Sequence, residues 1–296
     1  MTGNNRYHIF FFTGTGCTAL AARSLEKALH ERGCETRVER ITASSQDGFI
    51  GDSGGVPPGS NTLILLFPVY ACTAPGPVME WIKTLGQTDG LPAAVISISG
   101  GGEVFPNTAS RVGAKKSLKQ KGFDVFFEDT IIMPSNISVA TPEHVSVQLI
   151  KVLPEKAGAI TDRIIKGAGK KKPPLIFDRF LAWGGQALWP FAKRWGKKTI
   201  VSSGCDGCGL CAAQCPTGNI AMAENMPVFN KRCCMCLGCF YTCPKRALEP
   251  KTAKSLILKR FNLKELEEKA KSYEKSSDEP FPKGYLWSGV KKYLSE

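Results

Sequence analysis

Residues 8–18 read HIFFFTGTGCT, a run that passes from apolar residues into threonine, glycine and cysteine. Residues 8–12 are typical of a strand buried on both faces. The loop after them opens a segment, 17–32, in which apolar residues recur at helical spacing before Gly33. Because the first N–H groups of a helix point out of its end, this order of strand, loop and helix predicts a cradle for an anion such as phosphate.

Strand and helix patterns continue to alternate along the first 150 residues. Further strands are predicted at 35–41, 63–67, 94–99 and 123–127, and further helices at 78–85, 109–120 and 143–165. Alternation of this kind is typical of an α/β fold, because each helix carries the chain back to start the next parallel strand. The sequence therefore predicts an open five-stranded parallel sheet with helices on both faces.

Eight of the twelve cysteines form two runs of C-x2-C-x2-C-x3-C, each followed by proline. Such runs hold a pair of [4Fe–4S] clusters, in which the fourth cysteine of each run binds the other cluster. We expect one cluster on Cys205, Cys208, Cys211 and Cys243, and the other on Cys233, Cys236, Cys239 and Cys215. Cys234 does not fit the repeat and is interpreted as a non-ligand. Structural zinc is the alternative, but zinc sites usually pair two C-x2-C turns instead of repeating a triplet.

The cysteine segment resembles bacterial-type two-cluster ferredoxins, both in residues 205–220 and in residues 245–248 after the second Cys-Pro. The glycine loop is neither a P-loop nor the G-x-G-x-x-G fingerprint. Its alternation resembles the phosphate loop of flavodoxins. The chain as a whole is similar to flavodoxin–ferredoxin fusion proteins, which implies a flavodoxin-like domain with FMN ahead of a small α+β ferredoxin domain.

The resemblance implies that three loops hold the FMN, at the carboxyl ends of three strands. Their residues are Thr13, Gly14, Thr15, Gly16, Cys17 and Thr18; Pro68, Val69, Tyr70 and Ala71; and Ser99, Gly100, Gly101, Gly102 and Phe105. Tyr70 or Phe105 is expected to stack on the ring. Those proteins usually carry asparagine where this chain has Cys17, which is either a reactive thiol or, by the simpler interpretation, a small buried residue. The alternative for the whole domain is a flavodoxin fold without a cofactor.

The charge divides the chain in two. Residues 1–150 hold 12 Lys and Arg against 13 Asp and Glu, whereas residues 151–296 hold 27 against 13. With the composition, this predicts an FMN domain at 1–168, a basic aromatic connector at 169–198, a ferredoxin domain at 199–250 and a helical tail at 251–296. A basic second half favours an acidic redox partner protein. No recognisable nucleic-acid module accompanies it, and the oligomeric state is not predicted.

The connector places apolar side chains at helical spacing, with lysine and arginine at both ends. These side chains belong to Phe177, Leu181, Leu188, Phe191 and Trp195, and Phe180 and Trp183 adjoin them. One interpretation is a connector that packs its aromatic residues on one domain and sets the distance from flavin to clusters. The other is a pair of interfacial helices in residues 175–198 that lie on an anionic membrane as a peripheral contact.

The main hypothesis is a cytoplasmic electron-transfer protein that exchanges electrons between FMN, two [4Fe–4S] clusters and a redox partner. No apolar run of some eighteen residues and no secretory leader is seen, and available thiols favour a reducing compartment. A reductase that acts on an organic substrate at the flavin is the first alternative. A membrane-docked redox adaptor is the second. Whether the protein is itself an enzyme is left open.

Overall fold

The structure is a computed structural model that describes residues 6–43, 49–50, 56, 59–169, 174, 176–258, 261–273 and 280–296. The strands of its first half are β1 (Arg6–Phe11), β2 (Glu35–Arg40), β3 (Thr42–Ala43), β4 (Phe49–Ile50), β5 (Thr62–Pro68), β6 (Pro92–Ser99) and β7 (Asp124–Ile132). The helices are α1 (Cys17–His30), α2 (Gly76–Thr84), α3 (Val112–Gln120) and α4 (Glu143–Ile165).

Five of these strands form one parallel sheet in the order β2-β1-β5-β6-β7. When only the strands of the sheet are counted, this is the order 2-1-3-4-5 of the flavodoxin-like fold. The α/β fold with five parallel strands that the sequence predicts is therefore confirmed for this half of the chain. We call it the sheet domain.

Helices cover both faces of the sheet. Helices α1 and α4 pack on one face, where Ile9 of β1 and Ile64 of β5 point. Helices α2 and α3 pack on the other face, towards which the next residues, Phe10 and Leu65, point. Because successive side chains of a strand alternate between faces, both faces must be apolar, and this explains the uninterrupted apolar runs in the sequence.

Strand β7 continues five residues beyond the predicted end of the fifth strand, to Ile132. The sequence suggested an end there because Glu128 and Asp129 interrupt the apolar pattern. In the fold, Glu128 pairs with Lys115 at 2.7 Å, and Asp129 pairs with Arg163 at 2.6 Å. These cations come from neighbouring helices, so the carboxylates are accommodated within the strand.

The cysteine-rich unit at 199–250 is built from short elements. They are β8 (Thr199–Val201), α7 (Leu210–Ala213), β9 (Ile220–Ala223), β10 (Met226–Phe229), α8 (Gly238–Thr242) and β11 (Leu248–Pro250). Strand β8 pairs antiparallel with β11, and β9 pairs antiparallel with β10. The first pair joins the start of the unit to its end, so both cysteine motifs lie between them.

The predicted connector contains α5 (Ile176–Ala187) and α6 (Trp189–Trp195), while residues 170–173 and 175 lie outside the described part. Trp189 packs against Gly76 of the sheet domain, and Trp195 belongs to the core of the cysteine-rich unit. The connector therefore bridges the two. The prediction that its aromatic residues all pack on one domain is wrong, since Phe177, Phe180, Trp183 and Phe191 are exposed.

The tail contains α9 (Leu263–Ser272) and α10 (Ser288–Ser295), and its residues 259–260 and 274–279 are outside the described part. Helix α9 was expected from the sequence, whereas α10 was not. Both pack on the sheet domain, α9 along α4 and α10 through Val290 beside Ile132. Within the described ranges, no helix combines the length and apolar character needed to cross a bilayer.

Candidate functional site

Two cavities lie in the cysteine-rich unit. Cavity A is lined by Cys215, Cys233, Cys234, Cys236 and Cys239 together with apolar side chains that include Trp195 and Phe240. Cavity B is lined by Cys205, Cys208, Cys211 and Cys243, with Lys245 and Met222 beside them. The eight motif cysteines thus divide into two quartets.

Each quartet takes three cysteines from one motif and the fourth from the other. The short helix α7 begins just before Cys211 and carries the chain away from cavity B, so that Cys215 reaches cavity A. Cys243, at the end of α8, reaches cavity B in the same way. These are the groups that the crossed assignment predicts, and their binding of iron stays a prediction. Among the residues that the structure describes, no three His, Cys, Asp or Glu side chains form a site for a single metal ion.

Backbone N–H groups point at the cysteine sulfurs. Those of Asn219, Met235 and Ala247 donate to Cys215, Cys233 and Cys243, each at 3.3 Å from N to Sγ. Hydrogen bonds of this kind favour the thiolate and tune the potential of a bound cluster. Because every residue except proline supplies a backbone N–H, the sequence alone does not show which residues donate to the sulfurs.

The cavity thiols are sheltered from water. Burial raises the pKa of the Cys233 thiol to about 12, and burial also raises the pKa of Cys239 and Cys211. Such thiols are neutral at pH 7 unless a cation is bound, so metal binding here would release protons. Cys236 differs, because a hydrogen bond from the Cys234 thiol lowers its pKa. Cys234 itself packs in the core of the sheet domain beneath cavity A.

The predicted anion cradle lies at the carboxyl end of β1. Gly16 adopts a left-handed φ of 101° and its N–H donates to Thr13 Oγ1 at 3.2 Å, which turns the chain into α1. The N–H groups of Cys17 and Thr18, as the first residues of α1, have no partner inside the helix. Burial raises the pKa of Cys17 to about 12, which agrees with a small buried residue and not with a reactive thiolate.

The cradle adjoins cavity A. A Cβ on Gly14 would lie 2.6 Å from Tyr70 Oη and closer still to the Cβ of Cys236. On the other side of the contact, a Cβ on Gly238 would lie 2.8 Å from the Gly14 carbonyl oxygen. Glycine is therefore required at both positions, and the loop that was predicted to hold phosphate touches the chain that lines cavity A.

Two further contacts cover the cradle, and neither was predicted. Leu263 of α9 packs against Gly16, and the Asn136 side chain is hydrogen-bonded to Thr15. Tyr241 of α8 donates to the Asn136 carbonyl at 2.7 Å and accepts from the Leu258 N–H at 2.9 Å. These residues depend on the docking of distant segments, for which the sequence has no local signal.

The other two predicted loops end the neighbouring strands. Pro68 ends β5, Val69 follows it, and Tyr70 begins a tight turn in which Ala71 has a left-handed φ of 46°. Gly185 of α5 packs on this turn. In the loop after β6, the Ser99 hydroxyl accepts from the N–H groups of Gly101 and Gly102 at 3.3 and 3.2 Å.

The loop after β6 is covered by other parts of the chain. Gly100 packs on Ser135, Gly289 of α10 packs on Gly101, and Phe105 stacks on Phe177 with ring centres 5.8 Å apart. An open pocket above this loop is what the reductase hypothesis requires, and these contacts give it no support.

The residues of the cradle fit the phosphate end of FMN. Thr13 and Thr18 supply buried hydroxyl groups, and the start of α1 supplies free N–H groups. At the ring end, Tyr70 Oη and Cys236 both lie beside Gly14, and Phe105 is paired with Phe177. The roles of Tyr70 and Phe105 in stacking on a flavin stay predictions.

Comparison with protein-family models and with curated proteins gives no match. Among solved structures, the chain is similar to a flavodoxin of Streptococcus pneumoniae TIGR4, with 16% identity over 53% of this chain and 99% of the other and a TM-score of 0.36. It is also similar to the oxidised Flavodoxin 2 of Bacillus cereus, with 14% identity over 53% of this chain and 99% of the other and a TM-score of 0.37. A third similar structure is general stress protein 14 of Treponema denticola, solved in complex with FMN, with 11% identity over 54% of this chain and 99% of the other and a TM-score of 0.36. The assignment of the fold rests on the strand order given above.

Proposed function

We propose that the protein transfers electrons through two [4Fe–4S] clusters, one in cavity A and one in cavity B, in association with FMN bound at the cradle. The observation that carries this proposal is the crossed lining of the cavities. In two-cluster ferredoxin motifs, the fourth cysteine of each run binds the other cluster. The fold distributes the eight motif cysteines between the cavities in this way.

Thr13, Thr15 and Thr18, with the N–H groups at the start of α1, are the residues that would hold the FMN phosphate. FMN exchanges one or two electrons, whereas an iron–sulfur cluster passes one at a time. The buried Cys17 thiol keeps the base of the cradle neutral, since burial raises its pKa to about 12. A neutral base adds no repulsion to the binding of an anion.

The three sites adjoin in a fixed order. The cradle contacts cavity A through Gly14 and Cys236, and the walls of cavities A and B share one apolar core around Phe240. Cavity B is the outer site, because Cys208 is exposed whereas the cysteines of cavity A are partly or fully covered. A chain of redox centres inside one molecule requires such an order, with the last centre accessible to a partner.

The partner that suits cavity B is an acidic redox protein. Lys245 lines this cavity, and residues 151–296 carry 27 basic against 13 acidic side chains. Attraction between opposite charges raises the rate of encounter and makes it sensitive to salt. Transfer to an acidic acceptor should therefore slow as the ionic strength rises, and a rate that is independent of salt would contradict this part of the proposal.

The cofactors are tested by purifying the protein under nitrogen and measuring iron, sulfide, zinc and flavin. We expect about eight iron atoms, about eight sulfides and about one FMN per chain. Stoichiometric zinc with no sulfide would refute the cluster assignment. Iron and sulfide without flavin would refute the FMN assignment alone, leaving the sheet domain as a scaffold for the clusters.

The crossed ligation is tested by single Cys→Ser variants analysed by iron content and by electron paramagnetic resonance after reduction. Cys215→Ser and Cys239→Ser should impair the same cluster, and Cys208→Ser and Cys243→Ser should impair the other. Cys234→Ser is the matched control, because it removes a buried cysteine next to a ligand and should leave both clusters in place. If Cys215→Ser and Cys208→Ser impaired one and the same cluster, the crossed assignment would be wrong.

A further inference from the structure

Helix α5 presents its apolar side chains to solvent. Ile176, Phe177, Phe180 and Trp183 are between 61% and 73% exposed. Phe177, Phe180 and Trp183 follow one another at spacings of three residues, and Ile176 lies four residues before Phe180, so they lie on one face of the helix. On a helix that packs on a soluble domain, the apolar face normally points inwards.

The inner face of α5 carries small and polar residues instead. Asp178 is buried and accepts a hydrogen bond from Thr108, and Ala182 is buried beside it. Gly185 packs on the turn at Ala71, and Gln186 donates to Thr73 Oγ1 at 3.3 Å. The orientation of the helix is therefore fixed by its polar contacts, and the aromatic residues are held facing outwards.

Helix α6 continues the same exposed face. Leu188 and Phe191 are 56% and 58% exposed, and Arg194 follows at the next helical position. On its inner side, Trp189 and Lys193 both contact Glu80, at 3.3 and 3.0 Å. The two helices thus form one continuous surface, which we call the aromatic face: Ile176, Phe177, Phe180, Trp183, Leu188 and Phe191.

The charges around the aromatic face have one sign. Arg179, Arg194, Lys197 and Lys198 are exposed on the same helices and the turn that follows. Residues 166–198 contain nine Lys and Arg and a single acidic residue, Asp178, which is buried. Anionic charge close to the aromatic face would therefore meet several cations and no exposed carboxylate of this segment.

We propose that the aromatic face is a docking surface for an anionic lipid bilayer, on which α5 and α6 lie in the plane of the interface. Phenylalanine, tryptophan and leucine enter the boundary between headgroups and acyl chains, while the arginine and lysine heads stay at the phosphates. The length and polarity of these helices suit a position on the membrane and not across it. Docking of this kind would hold the redox sites at a membrane surface, but it does not depend on the identity of the cofactors.

The test uses the full-length protein, purified under nitrogen, and vesicles of phosphatidylcholine alone or mixed with an equal part of phosphatidylglycerol. We expect the protein to sediment with the mixed vesicles and to stay in solution with phosphatidylcholine. Phe180→Ser combined with Trp183→Ser should weaken binding at least tenfold, because two large apolar side chains no longer leave water. Both positions are exposed, so the fold should be retained, which circular dichroism checks.

The contribution of charge is tested by the variant Arg194→Gln, Lys197→Gln, Lys198→Gln. A cation near the surface of an anionic membrane contributes about 1 kcal/mol, so binding should fall about fivefold for each charge removed. One matched control removes three exposed lysines elsewhere, Lys283, Lys291 and Lys292, and another replaces the exposed Val139 and Ile165 by serine. Both controls should bind as the wild type does.

Three results would overturn the proposal. The first is a wild-type protein that stays in solution with both kinds of vesicle. The second is a wild-type protein that binds both kinds of vesicle equally, with the aromatic and charge variants binding as strongly as the wild type. The third is a chain that ignores vesicles but self-associates, or binds an acidic protein, through Phe180 and Trp183, since the aromatic face would then be a protein interface.

Discussion

Replacing Gly14 by alanine tests whether the cradle and cavity A are joined as the structure describes. The added Cβ would lie 2.6 Å from Tyr70 Oη and still closer to the Cβ of Cys236. The favourable separation of two carbon atoms is about 3.5–4.0 Å, so both neighbours would have to move by about 1 Å. The Cβ of Cys236 cannot move without its backbone, and Tyr70 Oη ends a rigid aromatic ring whose backbone is held in a tight turn.

Overpacking of this kind destabilises a protein by about 1–3 kcal/mol. In a domain of this size, 1 kcal/mol corresponds to about 2–4 °C in the melting temperature. Gly14 has no left-handed φ, so its replacement adds no backbone strain to the steric effect. Gly86→Ala is the matched control, since no atom lies within 4 Å of its added Cβ and its φ is also outside the left-handed region.

The assay is calorimetry of the anaerobically purified variants at one scan rate, with Gly238→Ala measured alone and combined with Gly14→Ala. Because Gly14 and Gly238 lie on the two sides of one contact, the double variant should lose less stability than the sum of the single variants. Two results would refute the described docking of the cysteine-rich unit on the cradle. One is a melting temperature of Gly14→Ala equal to that of Gly86→Ala. The other is a double variant whose loss of stability equals the sum of the losses in Gly14→Ala and Gly238→Ala.

Three other changes test the packing of the chain. Arg111 is buried and donates to Ser97 Oγ and Glu103 at 2.8 and 2.5 Å. Its replacement by methionine should therefore destabilise the sheet domain by about 3–5 kcal/mol, measured by urea denaturation. The control Lys116→Met, at an exposed position, should change stability little. Tyr241→Phe removes the hydroxyl that joins Asn136 to Leu258 and should cost about 1–3 kcal/mol in the same assay; an unchanged midpoint would contradict the bridge. Burial lowers the pKa of His8, which lies 2.8 Å from Glu39, below its usual 6.5. Since the unfolded chain then binds more protons, stability should fall as the pH drops below about 6.5, and this part of the fall should disappear in His8→Gln when denaturation midpoints are compared between pH 7 and pH 5.

The sheet domain could be predicted almost element by element, because its signals are local. Strands β1 and β5 carry the apolar runs 9–11 and 63–67, as strands covered by helices on both faces should, and glycine or a polar loop marks most helix ends. The prediction failed where a distant partner changes the meaning of a residue. Glu128 and Asp129 suggest the end of a strand when read alone, and only the tertiary positions of Lys115 and Arg163 allow β7 to continue.

In the candidate site, the grouping of the cysteines could be predicted from the sequence, whereas the contacts between separate segments could not. The spacing of the cysteines is enough to assign them to two crossed groups, since it reflects how a short loop turns around a cluster. The cover of the cradle by Leu263, Asn136 and Cys236 was not predictable, because it depends on how separate segments dock. The sequence left the orientation of α5 open between packing on a domain and contact with a membrane, since helical spacing shows which side chains share a face but not which way that face points.

The two cysteine motifs differ at equivalent positions, and the docking explains the difference. Gly207 and Gly209 in the first motif adopt left-handed φ values of 72° and 74°, whereas their counterparts Met235 and Leu237 do so at 53° and 61°. A residue other than glycine in this conformation costs about 1–3 kcal/mol, and the surrounding packing must offset it. Leu237 is buried against Trp195 and Phe240, while an added Cβ on Gly209 would meet no atom within 4 Å. The second motif can therefore carry a large side chain at Leu237, because packing against the connector offsets the strain. In the first motif, Gly209 has no such packing, and an added Cβ on Gly207 would lie 2.5 Å from the Asn225 carbonyl oxygen. The same asymmetry agrees with the exposure of the cysteines, since Cys208 of cavity B is exposed whereas the motif cysteines of cavity A are at least partly covered.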